Sequence, residues 1–177
     1  DVTMKIAIGC DHGGYELKEK VIKYVTEELK MQVEDFGTYN KNRCDYPDYA
    51  FLVASAVSLK KCDFGIMIDG AGIGSSMMAN KVPGVLAACA NEVYTAHNSR
   101  QHNGANVLTL GSFVIGEGVA KEIIKTFLTT KFEGERNLQR VKSILDIEKR
   151  ILSNKEWYYA NGKSDRYCDI HSQGQRY

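Results

Sequence analysis

An α/β fold with an open, doubly wound parallel sheet is the class this chain predicts, and three observations point to it. Five short, mostly apolar runs of strand length recur before residue 111. Amphipathic stretches of helical length separate several of them, and the third run ends in a carboxylate followed at once by a glycine-rich turn. Parallel strands joined by helical crossovers are covered on both faces, so ligands sit beyond the carboxyl ends of the strands.

Residues 4–9 read as the first strand, ending in the loop Cys10-Asp11-His12-Gly13-Gly14. A helix over 14–30 and a second strand over 32–36 follow, and Pro47 marks the start of a helix over 47–60. The third strand is expected at 64–68, leading into Asp69-Gly70-Ala71-Gly72-Ile73-Gly74 and a helix over 75–80. Pro83 marks a turn before a fourth strand at 84–89, with a helix over 92–101 after it. A fifth strand at 106–110 and helices over 116–129 and 135–152 complete the domain, placed at residues 4–152. The loops after the first, third and fourth strands share one edge of such a sheet. His102 and Asn103 precede the fifth strand, which puts them toward the opposite edge and directs them to a neighbouring subunit's site. Residues 153–177 lose helical periodicity, and Trp157, Tyr158, Tyr159, Tyr167 and Tyr177 alternate there with polar residues and glycine. They read as a C-terminal extension without its own fold, docked on the core or a partner, or disordered.

A chain of 177 residues with 44% hydrophobic and 25% charged residues suits one well-buried core. Lys plus Arg at 23 against Asp plus Glu at 22 offers no broad field for nucleic acid or an anionic membrane, so any basic site is local. No apolar stretch reaches the roughly 20 residues of a membrane span, and no signal-peptide pattern is present, so a cytoplasmic protein is expected. The cysteines Cys10, Cys44, Cys62, Cys89 and Cys168 form no C-x-x-C pair and read as reduced thiols. Cys10 and Cys89, each ending an apolar run, read as small buried hydrophobes. Cys168 and His171, two potential ligands near the C-terminus, do not define a metal site.

Gly70, Gly72 and Gly74 leave backbone N–H groups uncovered ahead of a helix beginning near Ser75, and together they form a cradle for an anion. A dinucleotide fingerprint fails, since counting from Gly70 its last glycine falls on Ser75 and counting from Gly72 on Met77. No Lys-Ser/Thr pair follows as a P-loop requires, and a small sugar phosphate fits better. Tight packing of a strand-to-helix turn is the competing explanation.

The motifs C-D-H-G-G-Y-E-L-K at 10–18, D-Y-P-D-Y-A at 45–50, A-N-K-V-P-G at 79–84, S-R-Q-H-N at 99–103, A-N-V-L at 105–108 and E-R-N-L-Q-R at 135–140 occur in order. Through them the chain resembles the ribose-5-phosphate isomerase B family, which includes galactose-6-phosphate isomerase subunits. The resemblance spans about residues 4–150. It implies a Rossmann-like three-layer α/β/α sandwich with a five-stranded parallel sheet, a homodimer or tetramer with shared active sites, and no metal or organic cofactor. The activity it implies is aldose–ketose isomerisation through an enediol, with ribose 5-phosphate as the default substrate.

Carried over residue by residue, the resemblance makes His102 the ring-opening group reaching in from a partner subunit, with Asn103 beside it. Asp11 would hold a ring hydroxyl, His12 the phosphate side, and Tyr46 would line the sugar pocket or simply pack before Pro47. Arg136 and Arg140, four apart on a helix, would bind the phosphate. Their spacing equally suits a salt-bridge ladder with Glu133 and Glu135. Asp69 stands where many members carry a catalytic cysteine. A carboxylate can move the same proton, so Asp69 is the expected base, with a cap on the glycine turn as its other role. Ser75 replaces a Glu found in some relatives, Ala71 a usual Thr or Ser, Phe113 an Arg of many members, and Asn137 a His of some. These departures leave room for another tetrose, pentose or hexose phosphate, or for a non-catalytic sugar-phosphate-binding or interaction subunit.

Overall fold

The computed structural model describes residues 3–153, so the aromatic segment from Trp157 to Tyr177, with Cys168 and His171, lies outside the described residues. Strands β1 (Lys5–Cys10), β2 (Gln32–Asp35), β3 (Phe64–Asp69), β4 (Ala87–Cys89) and β5 (Val107–Gly111) form one sheet in the order β2-β1-β3-β5-β4. Every pairing is parallel. Helices α1 (Tyr15–Lys23), α2 (Tyr46–Ser58), α3 (Ile73–Ala79), α4 (Val93–Gln101), α5 (Glu117–Thr129) and α6 (Glu135–Ser153) alternate with the strands or follow them. The chain divides into two compact units between Leu138 and Gln139, inside α6. No described helix is long and apolar enough to cross a membrane.

The alternation of side chains along β1, β3 and β5 sorts the core into two layers. Ile6, Ile8, Ile66, Ile68, Leu108 and Leu110 face α1, α4 and α5, where Leu17, Val21, Ile123, Ile124 and Phe127 complete one cluster. Ala7, Met67 and Val107 face the other way, onto Val53, Val57 and Ala79 of α2 and α3. This second face is built of small residues because α2 lies close. A Cβ on Gly65 would stand 2.7 Å from Val53 Cγ1, and one on Gly9 2.8 Å from Val53 Cγ2.

Several boundaries differ from the sequence expectation for local reasons. The first helix opens with a 3₁₀ turn at His12–Gly14 and closes with a π turn at Tyr24–Glu28, where Leu29 N–H bonds Tyr24 O. Strand β4 begins at Ala87 rather than at residue 84. Val85 N–H closes a turn on Val82 O, and the Leu86 amide is taken by the Asn106 side chain. Helix α3 begins at Ile73, two residues early, because Gly72 at φ 80 turns the chain straight into it. Cys10 is buried as expected, but Cys89 is exposed: it ends a three-residue edge strand that has a neighbour on one side only.

Candidate active site

The chain leaves β1 for β2 on one side and leaves β3 for β4, beyond β5, on the other, which opens a crevice between the carboxyl ends of β1 and β3. The residues just there are Asp11 and Asp69. The Asp11 amide donates to Ile68 O at 3.2 Å, stitching the first loop onto β3. The Asp11 carboxylate accepts the Gly14 amide at 3.1 Å and caps the 3₁₀ turn. His12 is exposed, with Nδ1 3.1 Å from Cys44 O and 3.3 Å from Cys44 N, so the 40–45 loop fixes its ring.

Asp69 is 5% exposed. Its Oδ2 accepts the Ser75 amide at 3.4 Å, whereas Oδ1 and the Ser75 hydroxyl are buried without hydrogen-bond partners among the described residues. A carboxylate acting purely as a cap has its oxygens satisfied, and this one keeps an oxygen in reserve. Burial pushes the Asp69 carboxyl above its usual range. The nearby Ser75 side chain and the Ser75 and Gly72 backbone amides oppose the rise, and the charge of Asp11 adds to it. The result is a more basic carboxylate at the end of a strand buried from Gly65 onward.

The glycine loop is braced from three directions. Asn91 donates from Nδ2 to Ala71 O at 2.9 Å and accepts the Gly111 amide at 2.8 Å, tying the loop to β5. Ser112 and Phe113 donate their amides to Asp69 O and Gly70 O at 2.8 and 3.0 Å. Aromatic rings meet the loop at both ends. A Cβ on Gly74 would lie 2.4 Å from Tyr46 Cζ, and a Cβ on Gly70 3.0 Å from Phe113 Cδ2. These contacts give Gly70 and Gly74 a packing reason in addition to the cradle, and the Ser75 amide of that cradle is taken by Asp69 itself. Ala71 is exposed and offers no hydroxyl.

One chain does not bring His102 to Asp69. His102 follows α4 and precedes β5, at the amino edge of the sheet, while Asp69 pairs with Gly111 at the carboxyl edge. About 13 Å of β5, at ~3.3 Å per residue, separates the two edges. The Asn98 side-chain nitrogen lies 2.9 Å from His102 Nδ1, and with that nitrogen donating, the neutral ring carries its proton on Nε2. Asn103 is exposed beside it. Arg136 and Arg140 are both exposed on α6, and the boundary between the two units falls between them. Glu133, one acid of the possible ladder, accepts from Gln101 Nε2 on its Oε1 at 2.6 Å.

Sequence reasoning missed two supports of the site. Lys18 is fully buried, its ammonium 2.7 and 2.8 Å from the Asp35 carboxylate oxygens and 2.7 Å from Thr38 O. It locks the loop after β2 against the end of β1, where Thr38 N–H bonds Cys10 O. A lysine beside Leu17 and near Val21 on an apolar face was the available signal. Asn91, the second support, carries no motif of its own.

A family model described as Ribose/Galactose Isomerase matches residues 6–144. Ribose-5-phosphate isomerase B of Escherichia coli K12 is 46% identical over 146 residues, covering 82% of this chain and 97% of the relative. The structure of ribose-5-phosphate isomerase B from Clostridium thermocellum superposes with a TM-score of 0.81 at 46% identity, over 84% of this chain and 99% of the other. That of the Mycoplasma genitalium enzyme with bound ribulose-5-phosphate superposes at 0.79 with 40% identity, over 84% of this chain and 99% of that one.

Proposed function

The chain belongs to the ribose/galactose isomerase family, and on that premise we propose that it interconverts ribose 5-phosphate and ribulose 5-phosphate through an enediol. It is an aldose–ketose isomerase of a sugar phosphate, a class that nearly full-length likeness to its relatives carries. The observation that supports the chemistry is the buried Asp69 carboxylate with one unpartnered oxygen at the mouth of the β1–β3 crevice.

The reaction needs an opened sugar, a base that moves a proton between C2 and C1, and donors for the enediolate oxygens. His102 of a second copy, with its proton on Nε2, gives that proton to the ring oxygen as the C1–O bond breaks, and takes back the proton that the O1 hydroxyl releases as the aldehyde forms. Asp69 then takes the C2 proton, the C2–H electron pair forms the C1=C2 double bond, the C1=O pair moves onto O1, and O1 takes a proton relayed by the Ser75 hydroxyl, which O2 replaces when it gives up its own. Return of the proton to C1 and loss of the O2 proton completes the ketose. The Ser75 hydroxyl, buried without a partner beside Asp69, is the donor poised for a developing oxyanion. Asp11 holds a sugar hydroxyl, while His12, Arg136 and Arg140 take the phosphate. Because His102 lies at the far edge of its own sheet, the complete site requires a homodimer or a larger assembly with sites shared between subunits.

The test is NMR of the purified protein with ribose 5-phosphate in D₂O. Ribulose 5-phosphate bearing deuterium at the exchanged carbon is expected. Absence of both ketose and exchange, in a folded protein that still binds the sugar phosphate, refutes the reading and leaves a binding protein on the isomerase fold.

A further inference from the structure

Phe113 is 84% exposed, an unusual state for a phenylalanine whose backbone is tied down on both sides. Its amide is fixed to Gly70 O at 3.0 Å, and the preceding Ser112 hydroxyl donates to Gly13 O at 2.8 Å. These bonds hold the ring over the two loops that carry the carboxylates. A point 3.4 Å from Phe113 Cζ, where a Gly13 Cβ would stand, is also 3.4 Å from Asp11 Oδ1. On the other side, the ring edge lies 3.0 to 3.1 Å from where a Gly70 Cβ would be, one residue after Asp69. Phe113 therefore packs against Gly13 and Gly70, the glycines of the loops that carry Asp11 and Asp69, and keeps most of its surface exposed.

An exposed aromatic ring on the two loops that carry carboxylates is a poor neighbour for a phosphate dianion. Like charges repel it, and the ring has no donor for its oxygens. The same ring suits the C–H side of a carbon chain, whose hydroxyls then point toward Asp11 and whose C2 faces Asp69. We propose that Phe113 is a specificity-determining residue of the isomerase, the platform on which the C–H face of the sugar lies, so that the phosphate end is directed away from this wall. The inference rests on the sugar-phosphate reading above and adds to it the orientation of the substrate. It also gives the enzyme a dependence on chain length, because a longer sugar lays more C–H groups on the ring.

The experiment measures steady-state kinetics and calorimetric binding of ribose 5-phosphate and of a tetrose phosphate to the wild type, Phe113→Ala, Phe113→Leu and Phe113→Trp. Exposure of the side chain leaves the core untouched in every variant, which unfolding curves verify. Alanine and leucine are expected to raise KM and Kd about three- to tenfold, the size of one aromatic contact, with kcat within about twofold. Tryptophan restores affinity, and the loss is smaller for the tetrose phosphate. Unchanged affinity in Phe113→Ala, or leucine matching phenylalanine, overturns the platform. Wild-type binding without turnover overturns the isomerase reading alone, since the platform is still read from Kd. A wild type that binds neither sugar phosphate overturns both.

Discussion

Replacing Asp69 by Asn removes the basicity of one atom while keeping the shape that holds it. In the native site Oδ2 accepts the Ser75 amide at 3.4 Å and Oδ1 has no partner among the described residues. An asparagine can direct its carbonyl to Ser75 and place its NH₂ where Oδ1 stood, so no existing hydrogen bond is broken and the glycine loop keeps its brace from Asn91. A positioned general base contributes about 10²–10⁴ in rate, or about 3–5.5 kcal/mol at 1.36 kcal/mol per decade. Asp69→Asn is therefore expected to lower kcat by about 10³ with little change in KM, measured by coupled or NMR assay on ribose 5-phosphate. Stability moves the other way. Burial raises the Asp69 pKa in the fold, so the folded chain holds the proton more tightly than the unfolded chain does. The stability this group contributes is present in full below its unfolded pKa and is lost as pH rises through its folded pKa. Asn, which never ionises, is thus more stable than the wild type at neutral pH, and the gap closes toward pH 3. A variant that retains kcat within tenfold excludes Asp69 as the base. A variant that loses activity and stability together at pH 7 shows a structural cap instead.

The remaining expectations concern pH and packing. The acid limb of kcat/KM is expected above the ordinary carboxylate range, because the free enzyme's base is the buried Asp69, and activity falls as pH drops through that raised pKa. A limb at the value of an exposed aspartate refutes this. Gly65→Ala puts a methyl 2.7 Å from Val53 Cγ1 and 3.2 Å from both Val57 Cγ2 and Val107 Cγ2, three stiff β-branched side chains. A loss of about 1–3 kcal/mol in urea unfolding is expected, and a neutral result means that α2 can shift outward. Lys18→Met leaves Asp35 and Thr38 O without their buried cation. A loss of about 3 kcal/mol is expected, the low end for a broken buried pair because the Asp35 side chain is 29% exposed. Unfolding at unchanged urea concentration refutes that role for the pair.

Much of this protein was legible in the amino-acid sequence alone, for physical reasons that are local. The runs at β1, β3 and β5 are apolar on both faces, as strands covered on both sides must be, so an α/β sheet with parallel strands follows from periodicity. Asp69 next to three glycines, and the order of the motifs, pointed to the family that the comparisons then established. The strand order was not readable, because periodicity says which residues are buried but not which strand lies beside which. Placing β3 between β1 and β5 is what opens a crevice at Asp11 and Asp69, and only long-range pairing decides it. Nor does sequence reveal that Asp69 keeps an oxygen unpartnered among the described residues, that Lys18 is wholly buried, or that Phe113 stands exposed on the two loops that carry carboxylates. Each of those is the sum of contacts from segments distant in the chain. Residue types and their spacing set which groups were available for chemistry, and tertiary packing set which of them lost water, lost partners and came together.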